Sequence, residues 1–408
     1  MLSALPRCPA ILAATFFTVA TLADTSASSN PGSLKRLAFE DLQYEGAFRL
    51  PAQEANGDSF SFGGRPAAYN PAAGTLFVGT RSGRVAEINI PQPVNSADVG
   101  VLPFAAFVQP FADPAEGRIA DIASDGASLA GLLVHNNRLY GTGVIYYDAN
   151  NTQSLSHFSR PLALLDRATP RLVRVGQSGK TGLVAGYMAT VPEEWRAQLG
   201  GPAITGQCCI PIVSRTSYGP AAFAFDPALI DSGKNAPAYP LMYYTSDHQT
   251  LGAWEGSNPT YGGTMQVGGL ALIAGTRTAL FIGRNGLGPF CYGEGTGDQA
   301  KANQRGPGGE RYCYDPTSAD KGQHAYPYRF QMWAYDLSEL AQVRAGRRDP
   351  WEVKPYGVWP FDVATSEPGV RIGGVAYDAA GQRLFIGQMQ ADRDGYAFRA
   401  LMHVFRVR

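Results

Sequence analysis

Charge is scarce in this chain. Asp, Glu, Lys and Arg make up 17% of 408 residues, and 34 basic side chains balance 34 acidic ones. That balance gives no global electrostatic case for nucleic acid or an anionic membrane surface as partner. Histidine numbers only five, and the five cysteines form no CxxC pair, so the common zinc patterns are missing and no metal site is expected. There is no GxSxG elbow, no phosphate loop and no HExxH. GEGTG at residues 293–297 lies inside a long polar stretch, not between a strand and a helix, so it is a weak nucleotide signal; no cofactor is expected. After the N-terminus no apolar run is long enough to span a membrane as a helix.

Glycine (48), proline (29), tyrosine (20) and phenylalanine (20) are plentiful. This is the composition of many short strands joined by turns. The length allows one large β domain or two ordinary ones.

The N-terminus reads as an export signal. Arg7 supplies positive charge, residues 10–22 are apolar, and Thr21-Leu22-Ala23 offers small residues at the cleavage positions. The expected organisation is a signal over 1–23, a flexible linker over 24–39 and a single β-propeller domain over 40–408, in a secreted or periplasmic protein. An uncleaved anchor is the alternative. Cys8 leaves with the signal, so the mature chain keeps Cys208, Cys209, Cys291 and Cys313. An even count in an exported protein points to disulfides, with three pairings open.

The chain repeats itself. Five stretches begin with small residues and an apolar strand: 62–69 (FGGRPAAY), 127–134 (ASLAGLLV), 181–188 (TGLVAGYM), 267–274 (VGGLALIA) and 372–377 (IGGVAY). Four lead through a turn to a second strand ending in glycine, at 76–79, 139–141, 280–283 and 384–387; the third has a weaker counterpart at 202–206. Third strands are expected at 85–90, 157–165, 221–225, 330–335 and 402–407. Fourth strands are expected at 104–111, 171–175, 239–245 and 356–361. The fifth repeat lacks a fourth strand, while an orphan strand, 44–50, precedes the first. An all-β propeller of five four-stranded blades, one for each repeat, is expected and explains the mismatch. The N-terminal strand becomes the outer strand of the last blade and closes the ring. Glycine and alanine at the inner strands let backbones approach near the axis. A ring of six or seven blades and a pair of β-sandwiches are the alternatives. Two short helices are expected, at 192–199 and 336–344.

In such blades, the loops from second to third strand and from fourth strand to the next blade share one end of the ring. Here they are the long ones: 144–156, 207–219, 284–328 and 388–399, with 112–126, 246–266 and 363–371. Turns at the other end are short. Function is expected at the loop-rich end.

The adjacent pair Cys208-Cys209 is the most unusual feature. Bonded to each other, the two form a stiff apolar platform for a sugar or other flat ligand; alternatively each pairs with a distant cysteine, or one stays free. Cys291 and Cys313 flank a polar insertion, and a bond there would staple it. Arg215 and Arg284, the latter beside Asn285, are candidate clamps for a carboxylate, against the ordinary role of locking a loop. His248, beside Asp247, is a candidate base, with Tyr218 a second catalytic candidate. Tyr146 and Tyr326 are candidate ligand contacts. His324, His157 and Arg160 lie near further tyrosines, whereas His403 alternates on a strand and reads as structural. The inner-strand starts carry no Asp or Glu, which weighs against a propeller glycosidase with paired carboxylates. Asp148-Ala-Asn-Asn-Thr152 and Asp392-Arg-Asp-Gly395 read as solvated turns rather than calcium loops. Asn150-Asn151-Thr152 matches a glycosylation sequon.

Residues 326–335 (YPYRFQMWAY), 349–359 (DPWEVKPYGVW) and 373–388 (GGVAYDAAGQRLFIGQ) resemble a family of exported, mainly bacterial propeller-like proteins without an assigned activity. The resemblance implies secretion and the propeller fold, and transfers no catalytic residue. Three functions remain in view: a binding module for carbohydrate or another cell-surface ligand, a polysaccharide-active enzyme with lyase ahead of hydrolase, and a scaffold for protein partners.

Overall fold

The computed structural model of the protein describes Met1 and residues 30–123, 126–363 and 371–408. The expected signal after Met1, residues 24–29 of the expected linker and most of the expected loop 363–371 lie outside the described residues.

Five antiparallel sheets follow one another along the chain. The first contains Ala67–Asn70, Thr75–Gly79, Val85–Ile88 and Phe107–Ala112, and the second Ala127–His135, Arg138–Ile145 and His157–Pro161. The third contains Met188–Thr190, Ala203–Thr205, Ala222–Phe225 and Tyr239–Met242. The fourth contains Gln266–Ile273, Thr278–Gly286, Tyr328–Asp336 and Gly357–Pro360. The fifth joins Ile372–Asp378, Arg383–Asp394 and Ala397–Val407 to Leu42–Arg49 from the other end of the chain. That last pairing runs from Leu42 opposite Val407 to Arg49 opposite Leu401, with an irregularity between Tyr44 and Gly46.

No single core serves these sheets; the apolar clusters lie between neighbours. Tyr140 and Val173 meet Phe223 between the second and third sheets. Ala222 and Ala224 meet Phe281 and Trp333 between the third and fourth. Leu280 and Ile282 meet Leu384 and Ile386 between the fourth and fifth. Phe385 and Met402 meet Leu76 and Val78 between the fifth and first, and Phe77 meets Leu132 between the first and second. Alternate side chains of one strand therefore enter different cores. Phe281 faces the third sheet, while Leu280 and Ile282 face the fifth. This is why runs such as LFIG are apolar throughout: Thr278–Gly286 is buried along its whole length. The first strands touch in the same cyclic order, the fifth contacting the first. Their backbones come too close for side chains. A Cβ on Gly131 would stand 2.0 Å from the carbonyl oxygen of Gly186, and one on Gly268 would stand 2.3 Å from that of Gly373. The arrangement is propeller-like.

Four expectations need correction. The third first strand begins at Met188, not near 181, because Thr181–Leu183 forms a 3-10 turn under the 207–219 loop. A Cβ on Gly182 would stand 2.5 Å from the Arg215 carbonyl oxygen. Residues 171–175 give no fourth ladder in the second sheet: Val173 bridges His157, but Val175 bridges Ala236 of the third repeat. The stretch 388–399 is mostly hairpin rather than loop, and Asp392 is buried, paired with Arg49 and Arg399 at 2.9 Å each. The described end of the expected linker is docked. Leu37 is buried, its N–H donates to Thr278 Oγ1 at 2.9 Å, and Arg36 meets Asp336 at 2.8 Å.

Two helices lie close to their expected places, Glu193–Leu199 and Leu337–Arg344. Among the described residues no helix is long and apolar enough to cross a membrane. Between the second and third strands of the fourth sheet, a small sheet of Cys291–Thr296, Tyr312–Tyr314 and Lys321–His324 forms an insertion.

Candidate functional site

Cys208 and Cys209 are bonded to each other, and Cys291 to Cys313. The adjacent pair is largely built into the fold. Cys208 is buried, and Cys209 packs partly buried with Tyr218 and Trp254. The Cys209 N–H donates to the Ser217 carbonyl at 3.1 Å. Cys209 holds the left-handed conformation, with φ at 67°, which a side chain adopts only under local constraint.

Arg215, His248 and Tyr218 are each engaged elsewhere. Arg215 donates to the carbonyl oxygens of Asp148 and Ala149, at 3.2 and 2.9 Å, locking two loops together. His248 lies flat on Trp351, with ring centroids 4.0 Å apart. Tyr218 meets Trp254 edge to face. Among the described residues no hydrogen bond or ring contact joins these three. Asp148 closes its own turn by accepting from the Thr152 and Gln153 N–H groups.

His157 is interior. Its Nε2 faces Thr205 Oγ1 at 3.1 Å, and that hydroxyl donates its proton to the Val184 carbonyl. Nε2 therefore carries the ring proton, and Nδ1 accepts from Ser156 Oγ at 2.8 Å. Burial pushes this imidazole down to about 3, so it stays neutral. Arg160 is buried as well and donates to five carbonyl oxygens, those of Asp113, Pro161, Ala163, Leu164 and Asp166.

Around the axis the arrangement is different. Arg284 sits within its strand, opposite Gln266, the first residue of the neighbouring inner strand. Arg371 directly precedes the inner strand Ile372–Asp378, and Arg65 precedes Ala67–Asn70 by two residues. The Gly374 N–H donates to the Gly64 carbonyl at 2.9 Å, fixing Arg65 beside the strand that Arg371 opens. The close approach of Gly268 to Gly373 brings the fourth sheet to the same level. Three guanidinium groups thus share the loop-rich end of the axis, one from each of three successive sheets.

Their electrostatics agree with the placement. Burial lowers Arg284 to about 10, and repulsion from Arg371 adds to this; Tyr328 and Asp315 pull the other way. Arg65 is exposed, yet surrounding protein lowers its pKa, with Arg371 second and Tyr146 opposing. The Arg284 guanidinium lies 4.0 Å from the Tyr328 ring centroid, and Tyr326 stands edge-on to Tyr328. Behind them Asp315 accepts from Tyr328, Thr317 and His324. Burial raises the Asp315 pKa, but these hydrogen bonds outweigh it and hold the carboxyl well below its usual range. His324 also faces the Asp320 carbonyl at 3.0 Å. Burial lowers its pKa, yet Asp315 outweighs that and raises it overall.

Arg284, Tyr326 and Tyr146 of the expected set thus belong to or border this mouth. Arg65 and Arg371 were not singled out. Arg65 follows Gly63-Gly64 and Arg371 precedes Gly373-Gly374, but neither position by itself marks the two as neighbours.

No protein-family profile matches the chain, and no curated protein sequence matches it. Among solved structures the chain is similar to a glycosyl hydrolase from Bacteroides ovatus at 11% identity and TM-score 0.39, covering 92% of this chain and 93% of that one. It is similar to a luciferin-regenerating enzyme at 6% identity and TM-score 0.35, covering 90% and 94%. It is also similar to the WD40 repeats of RRP9 at 8% identity and TM-score 0.33, covering 92% and 100%. None of the three lends its activity to this chain.

Proposed function

We propose that the chain is an exported five-bladed β-propeller whose loop-rich end binds carbohydrate or another cell-surface ligand. Its signal is residues 1–23, and one propeller domain follows. Two disulfides suit an oxidising compartment, and the cyclic order of five inter-sheet cores supports the blade count.

One observation carries the binding role. Tyr146, Tyr147, Tyr292 and Tyr396 are 54%, 66%, 60% and 96% exposed. All four stand on second-to-third-strand connections, and so on one end of the ring. Tyrosines with an apolar face and a polar tip, held on a rigid scaffold, suit sugar rings. Arg284, Tyr146 and Tyr326 are ligand contacts in this reading; Cys208, Cys209 and Arg215 shape the loops beside them.

The test is a glycan array together with a polysaccharide-degradation screen on the mature protein. Binding without product formation is the expected result. Unsaturated uronate products lost in His248→Ala would make the protein a lyase, and silence across acidic and neutral glycans would remove carbohydrate as the ligand.

A further inference from the structure

We propose that Arg65, Arg284 and Arg371 form one site at the axial mouth for an anionic sugar, carrying either a uronate carboxylate or a sulfate. The inference rests on the binding role above and narrows its ligand. The chain as a whole is neutral, so the local charge is a matter of placement. Three sheets deliver one guanidinium each to the same end of the axis, through the Gln266–Arg284 register and the Gly64–Gly374 hydrogen bond. Like charges held together raise the energy of the free protein. An anion relieves that repulsion and accepts from planar donor forks.

Asp315, which attracts Arg284, accepts from His324, Thr317 and Tyr328. Stacking on Tyr328 fixes the plane of Arg284. Arg65 and Arg371 are exposed and able to close on a ligand from the other side. Tyr146, an electrostatic neighbour of Arg65, offers an exposed ring beside the charge.

The experiment measures affinity of the mature protein for oligogalacturonate, dextran sulfate and neutral dextran at two salt concentrations. It compares wild type with Arg65→Gln, Arg371→Gln and the control Arg347→Gln, an exposed arginine on the backbone turn after the helix Leu337–Arg344. Arg284 is left intact because it is buried; the two tested arginines are exposed, and thermal unfolding checks each variant. The expected result is binding of at least one acidic polymer, weakened roughly tenfold or more by either mouth substitution and unchanged in the control, with a smaller salt dependence. The two acidic arms separate carboxylate from sulfate. Equal binding of neutral and acidic chains, or acidic binding indifferent to Arg65 and Arg371, would overturn the anion site and leave the carbohydrate role standing. No binding to any of the three would overturn both.

Discussion

The phenol of Tyr44, on the first strand, meets Nδ1 of His403, on the last, at 2.9 Å. On its other side, His403 Nε2 faces the amide oxygen of Gln388 at 2.7 Å. With Nε2 donating to that oxygen, Nδ1 accepts from Tyr44, and the ring is neutral. A buried neutral imidazole thus ties the N-terminal strand into the fifth sheet.

Acid therefore loosens the fold. Burial holds both His403 and His157 down at about 3, against 6.5 when unfolded. Between those values the unfolded chain binds protons that the folded chain does not. Their contribution is complete above pH 6.5 and falls as pH drops towards 3, by up to ~1.4 kcal/mol per pH unit for each histidine. Urea unfolding at pH 7 and pH 5 should show a clear loss of stability at the lower pH. A flat profile would mean that neither histidine is buried neutral.

The insertion responds to base. The folded pKa of His324 is raised above 6.5, so its contribution is complete below that value and is lost as pH rises through the folded pKa. Asp315 is depressed below 3.8, so its contribution is complete above that value and is lost only in stronger acid. Limited proteolysis of residues 297–310 should accelerate on going from pH 6 to pH 9. Asp315→Asn should give fast cleavage at both. Cleavage independent of pH in the wild type would contradict the pairing.

Arg160 is a structural cation with five carbonyl partners. Arg160→Ala should cost roughly 1.5–3 kcal/mol in chemical denaturation, because the charged donor shared by five carbonyl groups is lost. Arg160→Lys should recover little, since an ammonium lacks the planar fork. A loss below about 1 kcal/mol would show that water replaces the guanidinium.

Peptide mapping without reductant should recover Cys208 joined to Cys209, and Cys291 joined to Cys313. Removing the second bond with paired serines should cost the insertion roughly 3 kcal/mol on loop-closure arithmetic, visible as local cleavage. Removing the adjacent bond should barely move the unfolding midpoint, because its loop is minimal. A cross-link from Cys208 or Cys209 to the insertion would contradict both expectations.

Much of the scaffold was legible because second strands such as Thr75–Gly79 and Thr278–Gly286 are buried on both faces. LFIG at 280–283 and at 384–387 announces that burial as an unbroken apolar run, and the unmatched strand near Tyr44 announces its pairing with the last. Long-range polar contacts were less legible. Asp392 reads as a turn residue in DRDG, yet Arg49, far away in sequence, buries it. Leu37 reads as linker, but Thr278 and Tyr356 hold its backbone. The candidate site divides in the same way. Arg284 was visible beside an apolar strand, while Arg65 and Arg371 become partners only once the first, fourth and fifth sheets share an axis. His248 and Arg215 suggested a catalytic kit by type alone, and their stacking and carbonyl contacts depend on loops from other sheets.

The proposed axial ligand site is tested most directly by hydrogen exchange on the mature protein, with and without saturating oligogalacturonate or dextran sulfate. Slowed exchange should appear at residues 63–68, 284–286 and 371–375. Protection confined to the rim cavity of about 410 Å³ lined by Leu37, Phe39, Tyr356 and Trp359, or to the short turns at 70–75 and 378–383, would place binding elsewhere and contradict the axial mouth.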